Sequence, residues 1–474
     1  MNSEEAFKKD QETEELYRQK NPELVTYKKI RPETETFEKI GIWNMPSNRP
    51  KGYIRLNPQD FIVEEITQTG EIIKINSNLD IKSNIKRESN QNTLYFHLIK
   101  IGIDTNLAIE RISNRLKIDK KNIGYSGLKD ADAITAQLIS LTKTKLTIEN
   151  ISNIKIPNLI LNNIYYDQGA LSPGNLQGNL FTITIRTENN IEKEWLKSKV
   201  EILNKHGFLN YFQSQRFGRP RLKNHHLGKY IYQGKYDEAI KYLLFKTSEY
   251  ELPIITQLRQ NAEKLFPDWN KIYDLFKVFP HTLLYEVKVL ECLINNHNDY
   301  IGSLNSIQSQ TQIYIYAYAN YLYNKILSEY SKKHGCTNEK IPILLSNDQR
   351  DLNVYENFLK EDNTSNFKLF LKPFKFIIYK KRLINGRLLP KVTQANIIDK
   401  NVIILFSLPK GAYATTFLSN LFELYEGFPI PSWVDSKQFD PKKILNEGNI
   451  DQLKDTFKNE WYSKPEVESN LKNK

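Results

Sequence analysis

The chain has 474 residues, of which 40% are hydrophobic and 12% aromatic. This length exceeds one ordinary hydrophobic core and favours two or three domains, and the apolar share excludes a chain that is disordered throughout. Lysine and arginine total 67 against 55 acidic residues, a net charge of +12, which favours nucleic acid as a partner unless a Lys- and Asn-rich composition alone produces the surplus.

The first residues and the cysteines indicate a cytoplasmic protein. Residues 1–20 are charged throughout and lack the apolar segment of a secretory signal. No run of about 18 apolar residues occurs, which predicts that the chain has no membrane-spanning helix. Cys292 and Cys336 are the only cysteines, too few for a disulfide framework or a cysteine zinc site, so we expect reduced thiols.

Strand patterns and helix patterns occupy different parts of the chain. After a charged, partly helical start, short strands are predicted at residues 53–56, 61–66, 94–101, 123–128, 134–141, 181–185, 374–379 and 402–408. Helices are predicted from the Asp104 cap to Lys117 and at residues 193–206, 236–244, 284–295 and 311–330. The pattern predicts an α+β body interrupted by a mostly helical insertion, with a polar, loosely attached tail from about Pro431.

The densest group of polar residues lies between residues 127 and 137. Gly127 lets the backbone turn sharply, and Lys129 beside Asp130 favours the ionised form of a carboxylate. An ionised aspartate suits a nucleophile, since a protonated acid cannot attack. The alternative is a solvated turn, which such a Gly-x-Lys-Asp sequence forms more often.

A second group, residues 210–218, combines amides, aromatics and a cation. Asn210 can read the edge of a base, Phe212 can stack on one, and Arg216 can bind a phosphate. The basic residues that follow, and that extend this electrostatic pattern, are Arg219, Arg221 and Lys223. The alternative is an aromatic-rich turn with a solvated basic flank.

A third group, residues 408–416, directly follows the predicted strand at residues 402–408. Its Pro-Lys-Gly sequence is typical of a strand end, and Tyr413 with two threonines can begin the next helix. Taken alone, this group is an ordinary junction of strand, turn and helix, and it does not indicate a function.

These three segments, in this order, resemble the signature segments of the TruD family of pseudouridine synthases. The first fits the family pattern at Gly127, Lys129, Asp130, Ala133, Thr135 and Gln137. The second and third fit it as Asn210–Gly218 and Leu408–Thr415, and shorter matches include Asp60, Phe61, Val63, Glu65, Asn179, Phe181 and Arg186. Together the matches run from residue 52 to near residue 425, and they look closest to the archaeal and eukaryotic branch.

The sequence departs from the family pattern at a few positions. Ala319, Asn320 and Tyr323 differ from the residues that are usual in a tyrosine-rich helix, which puts local RNA contacts in doubt. Gln213 stands where a glycine is common, in the loop that the resemblance places beside the base. Arg55 stands where the family has a basic residue, often lysine, and can supply the same charge.

The resemblance implies a reaction and a set of site residues. A pseudouridine synthase breaks the C1′–N1 bond of a uridine in tRNA, most typically at position thirteen, and rejoins the uracil through C5 without metal or cofactor. Asp130 would be the catalytic carboxylate, which either attacks C1′ or promotes loss of the C2′ proton. Lys129 would hold Asp130 ionised. The residues assigned to the substrate and its surroundings are Arg55, Glu65, Lys129, Gln137, Asn210, Phe212 and Arg216.

The resemblance also implies the pseudouridine synthase catalytic fold, a mixed, mainly antiparallel sheet with flanking helices. The domains predicted from it are a charged extension at 1–50, a catalytic domain at 51–224 and 371–430, a TruD-type insertion at 225–370 and a tail at 431–474. Most of the tyrosines at positions 314, 316, 318 and 321 are expected to pack in a core. Nothing in the sequence demands more than a monomer.

Two other interpretations of the sequence remain open. One is a catalytically silent RNA-binding paralogue, which predicts loss of the aspartate or its neighbours, whereas Asp130, Lys129 and Asn210 are all present. The other is an unrelated enzyme such as a glycosidase, with Asp130 paired to Asp132 or Glu65. Salt would distinguish an RNA enzyme from such an unrelated enzyme. An RNA enzyme binds its substrate more weakly as the salt concentration rises, whereas the unrelated enzyme should be indifferent to RNA and to salt.

Overall fold

The computed structural model describes residues 3–75, 92–143, 145–336, 338–346 and 348–464. The chain folds into two compact units. The sheet unit comprises residues 48–208 and 388–464, and the helical unit comprises residues 3–47 and 209–387. No helix in the described parts of the chain is long and apolar enough to cross a membrane.

The secondary structure of these residues alternates between strand-rich and helix-rich stretches. The strands are β1 (Lys51–Tyr53), β2 (Phe61–Thr67), β3 (Thr93–Ile101), β4 (Ile123–Tyr125), β5 (Ile134–Leu141), β6 (Leu159–Asp167), β7 (Leu176–Thr187), β8 (Phe208–Leu209), β9 (Lys340–Pro342), β10 (Leu383–Asn385), β11 (Arg387–Leu388), β12 (Lys391–Ile398), β13 (Asn401–Pro409) and β14 (Glu423–Tyr425). The helices are α1 (Ser3–Lys20), α2 (Glu33–Lys39), α3 (Thr105–Leu116), α4 (Ile148–Ser152), α5 (Lys193–His206), α6 (Asn224–Tyr232), α7 (Tyr236–Phe245), α8 (Pro253–Leu265), α9 (Trp269–Phe276), α10 (Leu284–Asn295), α11 (Tyr300–Ser306), α12 (Gln308–His334), α13 (Gln349–Asn353), α14 (Glu356–Glu361), α15 (Phe367–Leu371), α16 (Ala414–Leu418), α17 (Pro441–Ile444) and α18 (Asp451–Thr456).

One mixed sheet forms the centre of the sheet unit. Its strands follow the order β12-β13-β7-β2-β5-β3-β6, with β1 joined to β7 and β14, and β4 joined to β5. Most neighbours are antiparallel, but β2 and β5 run parallel, with Ile62 opposite Ile134. The predicted α+β class with a mainly antiparallel sheet is confirmed.

Side chains alternate between the two faces of this sheet, as the period of a strand requires. On β2, Phe61 and Val63 belong to a core that includes residues of α5 and α16. Ile62 points into a different core, which it shares with Leu453 of α18 and with Phe457. Both faces of the sheet are therefore covered by apolar side chains. Each fully buried side chain of this size contributes about 1.5–3 kcal/mol to folding.

The helical unit is organised around the contact between α6 and α12. Gly228 makes this contact possible, because a Cβ atom at its position would lie 2.2 Å from the carbonyl oxygen of Tyr314. Tyr314 and Tyr318 are fully buried in the core, as expected, whereas Tyr316 and Tyr321 are partly exposed. The predicted packing role therefore holds fully for two of the four tyrosines.

A cluster of charged side chains is buried inside the helical unit. Glu286 lies 2.9 Å from Arg259 Nη2, 3.1 Å from Lys223 Nζ and 3.5 Å from Arg221 Nη1. Glu251 pairs with both arginines at 3.4 Å. Burial alone would raise the pKa of Glu286, but the three cations lower it to about 2. The expectation that Arg221 and Lys223 extend a surface for RNA is wrong, since both side chains are occupied here.

Most predicted elements are present with similar limits. The Asp104 carboxylate accepts hydrogen bonds from the backbone of Asn106 and Leu107 and so caps α3, as predicted. The predicted helices 193–206 and 284–295 match α5 and α10, and that at 311–330 lies within α12. The predicted strand at 374–379 is wrong. Its apolar residues Phe374 and Ile377 are buried, but they lie in irregular chain and not in a strand.

The predicted loose tail is also wrong over its described part, residues 431–464. Ile450, Leu453 and Phe457 are buried in the sheet unit, because apolar residues spaced along a polar segment still cover one face of the sheet. Residues 465–474 lie outside the described residues. The limits of the two units also differ from the predicted domain divisions, since residues 209–224 and 371–387 cluster with the helical unit.

Candidate active site

The parallel pairing of β2 and β5 brings two loops of the sheet unit together. Because parallel strands begin at the same edge of a sheet, the segments that precede them are neighbours there. Arg55 precedes β2 and Asp130 precedes β5, and Arg55 Nη2 lies 3.3 Å from Asp130 Oδ1. The structure thus unites a cation and a carboxylate that are distant in sequence.

Asp130 keeps part of its carboxylate accessible. Its side chain is 26% exposed, whereas that of Arg55 is 11% exposed. Arg55 also forms an ion pair with Glu426, at 2.6 Å, and its guanidinium lies 3.9 Å above the ring of Phe61. The cation is held on three sides, while the aspartate retains a face that a ligand can reach.

Lys129 is placed differently from its predicted position beside the Asp130 carboxylate. Its ammonium is buried and donates to Glu65 Oε2 at 2.6 Å, and the other oxygen of Glu65 accepts from the backbone of Leu138. Arg55, not Lys129, is the cation that pairs with Asp130. The side chains of these two adjacent loop residues point to different sides of the loop. Lys129 therefore pairs with Glu65, and Asp130 pairs with Arg55.

Buried polar side chains hold the backbone of the loop that bears Asp130. The backbone N–H of Lys129 donates to Thr105 Oγ1 at 2.9 Å, and that hydroxyl donates to Gln137 Oε1. The amide of Gln137 donates to the carbonyl oxygen of Gly127. Gln137 is fully buried and lies on β5. Its polar atoms therefore hydrogen bond to the loop and to Thr105. The turn does not need the special conformation of glycine, since the φ angle of Gly127 is not positive.

Lys100, on β3, is a residue of this site that the sequence analysis did not identify. Its fully buried ammonium donates to the carbonyl oxygens of Asp130 and Ile103, each at 2.6 Å, and lies 3.4 Å from that of Lys129. Burial lowers its pKa to about 8, against the opposing effect of Asp130. A lysine within the apolar strand TLYFHLIKI was the available signal, because a buried charge requires partners.

Residues from the far end of the chain complete the surroundings of Arg55 and Asp130. Glu426 is the second ion partner of Arg55. Lys464 Nζ donates to the carbonyl oxygen of Arg55 at 2.7 Å. The same ammonium lies 3.7 Å from Asp132, which is two residues after Asp130. No sequence pattern connects residues separated by more than three hundred positions, so only the fold could identify them.

The remaining predicted site residues share one segment of the helical unit. The amide of Asn210 donates to the carbonyl oxygen of Asn385 at 3.1 Å, and its backbone N–H donates to Gly386. Phe212 is mostly buried and meets Tyr323 edge to face, with 5.2 Å between ring centres. Arg216 lies in a short 3₁₀ turn, Ser214–Phe217, and is exposed.

The side chain of Asn324 fixes this segment. Its oxygen accepts from the backbone of Phe212 at 3.0 Å, and its nitrogen donates to the carbonyl oxygen of the same residue at 2.9 Å. Tyr323, a departure from the family pattern, supplies the aromatic edge against Phe212. Gln213, another departure, is buried. Tyr323 is therefore part of the packing that supports Phe212.

In the described residues no group of three or more His, Cys, Asp or Glu side chains is arranged to hold a metal ion. Cys292 and Cys336 are free cysteines. Asp130 and Asp132, which one alternative interpretation pairs, differ in their partners, since Asp130 meets Arg55 and Asp132 meets Lys464 at 3.7 Å. Glu65 is bound by Lys129 and is fully buried, so it does not form a second accessible carboxylate.

Comparison with known proteins gives consistent matches. A family model described as tRNA pseudouridine synthase D (TruD) matches residues 42–378. A probable tRNA pseudouridine synthase D 2 of Methanocaldococcus jannaschii is 33% identical over 285 residues, covering 59% of this chain and 61% of that protein. A probable tRNA pseudouridine synthase D 1 of the same organism is 27% identical over 392 residues, covering 78% of this chain and 95% of that protein.

The fold is also similar to that of a solved structure. A crystal structure from Methanosarcina mazei, assigned to tRNA pseudouridine synthase D, superimposes with a TM-score of 0.59 at 24% identity, covering 82% of this chain and 98% of that chain. The first relative above is matched over less than two thirds of its length, whereas the second is matched over nearly all of it. Because the family model covers well over half of the sequence, the chain belongs to the tRNA pseudouridine synthase D (TruD) family.

Proposed function

We propose that this protein isomerises uridine to pseudouridine in tRNA, with Asp130 as its catalytic carboxylate. The observation that carries the proposal is the placement of Asp130. It is a partly exposed aspartate, paired with Arg55, on a loop whose backbone is held by Lys100, Thr105 and Gln137. A carboxylate that is both accessible and fixed suits a reaction at one sugar carbon, because a small misplacement of a reacting group is costly in rate.

The reaction leaves the composition of the RNA unchanged. The uridine leaves its stack at a cost of about a few kcal/mol, which contacts in the enzyme recover. The C1′–N1 bond breaks, the uracil turns, the C1′–C5 bond forms, and the proton of C5 is lost while N1 gains one. Asp130 either attacks C1′ or takes the C2′ proton on the way to a glycal, and both routes require its ionised carboxylate.

Arg55 and the buried residues support this role in different ways. Arg55 provides the counter-charge of an ionised Asp130 and fixes its orientation through the ion pair at 3.3 Å. Lys129, Glu65 and Gln137 are assigned to the support of the loop, because their polar atoms bind other protein groups. This assignment replaces direct contact with the substrate for these three residues.

Asn210, Phe212 and Arg216 are assigned to the binding of RNA. Phe212 offers an aromatic ring for the target base, supported by Tyr323 and by the bonds of Asn324 to its backbone. Exposed Arg216 has the planar guanidinium that suits a phosphate. The surplus of basic residues in the chain favours the same substrate.

Further parts of the proposal concern organisation and substrate. The sheet unit is the catalytic domain, and the helical unit comprises the insertion and the N-terminal extension. The protein acts as a monomer in the cytoplasm, where its tRNA substrate is found. The modified uridine is the one at position thirteen, as the family resemblance implies. The catalytically silent alternative has no support, because Asp130 and its fixing contacts are present.

The experiment is pseudouridine formation on unmodified tRNA transcripts by wild type and by Asp130→Asn. This substitution removes the charge and nearly keeps the shape. We expect product from wild type, none from the variant, and unchanged RNA binding by both. Asp455→Asn is the matched control, since Asp455 is an exposed aspartate of the same unit, and it should retain full activity.

Two results would contradict the proposal. Activity of Asp130→Asn close to that of wild type would remove the assigned role of Asp130. Binding of tRNA by wild type without pseudouridine in any transcript would leave RNA binding as the only function. Mapping the product along the tRNA would test position thirteen separately, because modification of another uridine would contradict only that part.

A further inference from the structure

The C-terminal part of the sheet unit, residues 435–464, runs from one buried anchor to the next, and we call it the C-terminal strap. It lies beyond the residues that the family model matches, which end at 378. Its first anchor is Arg186, whose Nη1 donates to the carbonyl oxygens of Asp435 and Lys437, each at 2.7 Å. Arg186 also pairs with Asp60 at 2.9 Å, so the strap is tied to the segment that precedes β2.

The middle of the strap is fixed by an ion pair and by an apolar face. Lys442 is buried and donates to Glu64 of β2 at 2.5 Å. The other oxygen of Glu64 accepts from the backbone of Ile75. Beyond Lys442, Leu453 and Phe457 are buried against the sheet. These contacts fix the direction in which the end of the strap leaves the sheet.

The end of the strap reaches the two loops of the candidate active site. Lys464 Nζ donates to the carbonyl oxygen of Arg55 at 2.7 Å, and its backbone N–H donates to the carbonyl oxygen of Leu56 at 3.3 Å. The same ammonium lies 3.7 Å from Asp132. One short segment therefore contacts the loop before β2 and the loop before β5.

The conformation of Arg55 explains why such a contact matters. Its φ angle is +60°, in the left-handed region that residues other than glycine seldom adopt. A residue keeps this conformation only where its surroundings impose it. The ammonium of Lys464 donates a hydrogen bond to the backbone carbonyl oxygen of Arg55, while the side chain of Arg55 pairs with Asp130 and Glu426. The conformation that aims the guanidinium at Asp130 is thus held from the C-terminal strap.

We propose that Lys464 is a positioning residue of the active site, which holds Arg55 in its left-handed conformation and so orients the Arg55–Asp130 pair. The ion pair of Lys464 with Asp132, at 3.7 Å, also joins Lys464 to the loop that bears Asp130. The proposal rests on the function proposed above. It gives the C-terminal strap a role in catalysis, although Lys464 is mostly buried and acts through Arg55 without touching the substrate.

The test compares Lys464→Met, Lys464→Arg and the control Lys458→Met. Lys458 is an exposed lysine of the same strap. The first readout is kcat and the Kd for unmodified tRNA. The second is hydrogen exchange of the backbone amides around Arg55 and Leu56. We expect Lys464→Met to lower kcat by about 10- to 100-fold, since a displacement of about 1 Å can cost about 100-fold, and to accelerate exchange there with an unchanged Kd.

Lys464→Arg keeps a cationic donor and should recover most of kcat, whereas Lys458→Met should match wild type in both readouts. A folded Lys464→Met with wild-type kcat overturns the proposal, and so does a low kcat with unchanged exchange at Arg55. If Lys464→Met does not fold, Lys464→Gln and Lys464→Arg decide. Loss of kcat in the first and not in the second supports the proposal, and any other pattern overturns it.

Failure of the proposed function would be recognised separately. In that case wild type itself would form no pseudouridine on any tRNA. The exchange readout needs no activity, so it would still show whether Lys464 holds Arg55. Unchanged exchange in Lys464→Met would then overturn the positioning of Arg55, and faster exchange confined to Lys464→Met would support it.

Discussion

The two units of this protein each contain a carboxylate that is paired with one or more cationic side chains, and the two carboxylates differ in exposure. In the sheet unit, the Asp130 side chain is 26% exposed and pairs with Arg55 at 3.3 Å. In the helical unit, Glu286 is 3% exposed and pairs with Arg221, Lys223 and Arg259. Three cations close around Glu286, whereas the buried cation Lys100 at Asp130 binds only backbone oxygens.

This difference separates a structural charge cluster from a candidate catalytic one. The carboxylate of Glu286 is saturated by its partners, and its low pKa reflects a permanent negative charge in the core. Asp130 has its backbone fixed and part of its carboxylate free. Charge pairing by itself does not indicate a site, and a carboxylate becomes a candidate when rigid support is combined with access for a ligand.

The largest expected effect is on stability, from Glu286→Gln. This substitution leaves three buried cations with Glu251 as their remaining carboxylate, and breaking a buried pair costs about 3–5 kcal/mol. The free energy of unfolding, measured with denaturant, should fall by that amount, while pseudouridine formation by the folded protein persists. Glu291→Gln, at an exposed position of the same helix α10, should change stability by less than about 0.5 kcal/mol.

The penalty of Glu286→Gln should depend on pH. Burial lowers the pKa of Lys223 to about 7, against the opposing effect of Glu286. Without Glu286 that pKa falls further, so the variant sheds this proton at a pH where wild type keeps it. The free energy of unfolding of Glu286→Gln should therefore approach that of wild type as the pH rises toward about 7. A constant difference from pH 5 to 8 would contradict the assignment of this cluster.

The second effect is on catalysis, from Arg55→Met. Removing a preorganised charged group beside a reacting centre costs about 10²–10³-fold in kcat, and we expect a loss of that order in pseudouridine formation. The kcat of Arg55→Lys should lie between those of wild type and Arg55→Met. Lysine keeps the positive charge but lacks the planar guanidinium that pairs with Asp130 and Glu426. Arg115→Met, at an exposed arginine, should leave kcat unchanged. A wild-type kcat in Arg55→Met would show that the ion pair is incidental.

The third and smallest effect on catalysis is expected from Lys100→Met. The carbonyl groups of Asp130 and Ile103 lose their donor, so the loop moves slightly, and we expect about a tenfold loss of kcat, within the range that a displacement below about 1 Å produces. Binding of tRNA should be unaffected. Lys155→Met, at an exposed lysine of the same unit, is the control. Wild-type kcat in Lys100→Met would show that the loop needs no support from β3.

Lys100 also predicts a dependence of stability on pH. Its pKa is about 8 in the folded protein against 10.5 for an ordinary lysine, so between these values the unfolded chain binds more protons. The free energy of unfolding of wild type should rise with pH in this window relative to Lys100→Met, by at most about 1.4 kcal/mol per pH unit. Denaturant titrations of both proteins at pH 7.5 and 10 measure this change, and parallel curves would contradict it.

The motifs predicted the members of the candidate site better than their roles. The segment around Asp130 and the strand that bears Glu65 were both identified, and both lie at the site. The partner of Asp130 was expected to be its neighbour Lys129, yet it is Arg55. The basic run after Asn210 was expected to face RNA, yet Arg221 and Lys223 form ion pairs with Glu286. Sequence proximity fixes neither the direction of a side chain nor its burial.

The sequence by itself determined the family, the α+β class and most strands and helices, because periodicity and capping are local and the motifs are contiguous. Only the tertiary structure decided that β2 and β5 lie side by side, and with them Arg55 and Asp130. It also decided that a polar C-terminal segment packs on the sheet and brings Lys464 to Arg55. Such contacts follow from the burial of apolar faces by distant segments, and no local pattern records which segments will meet.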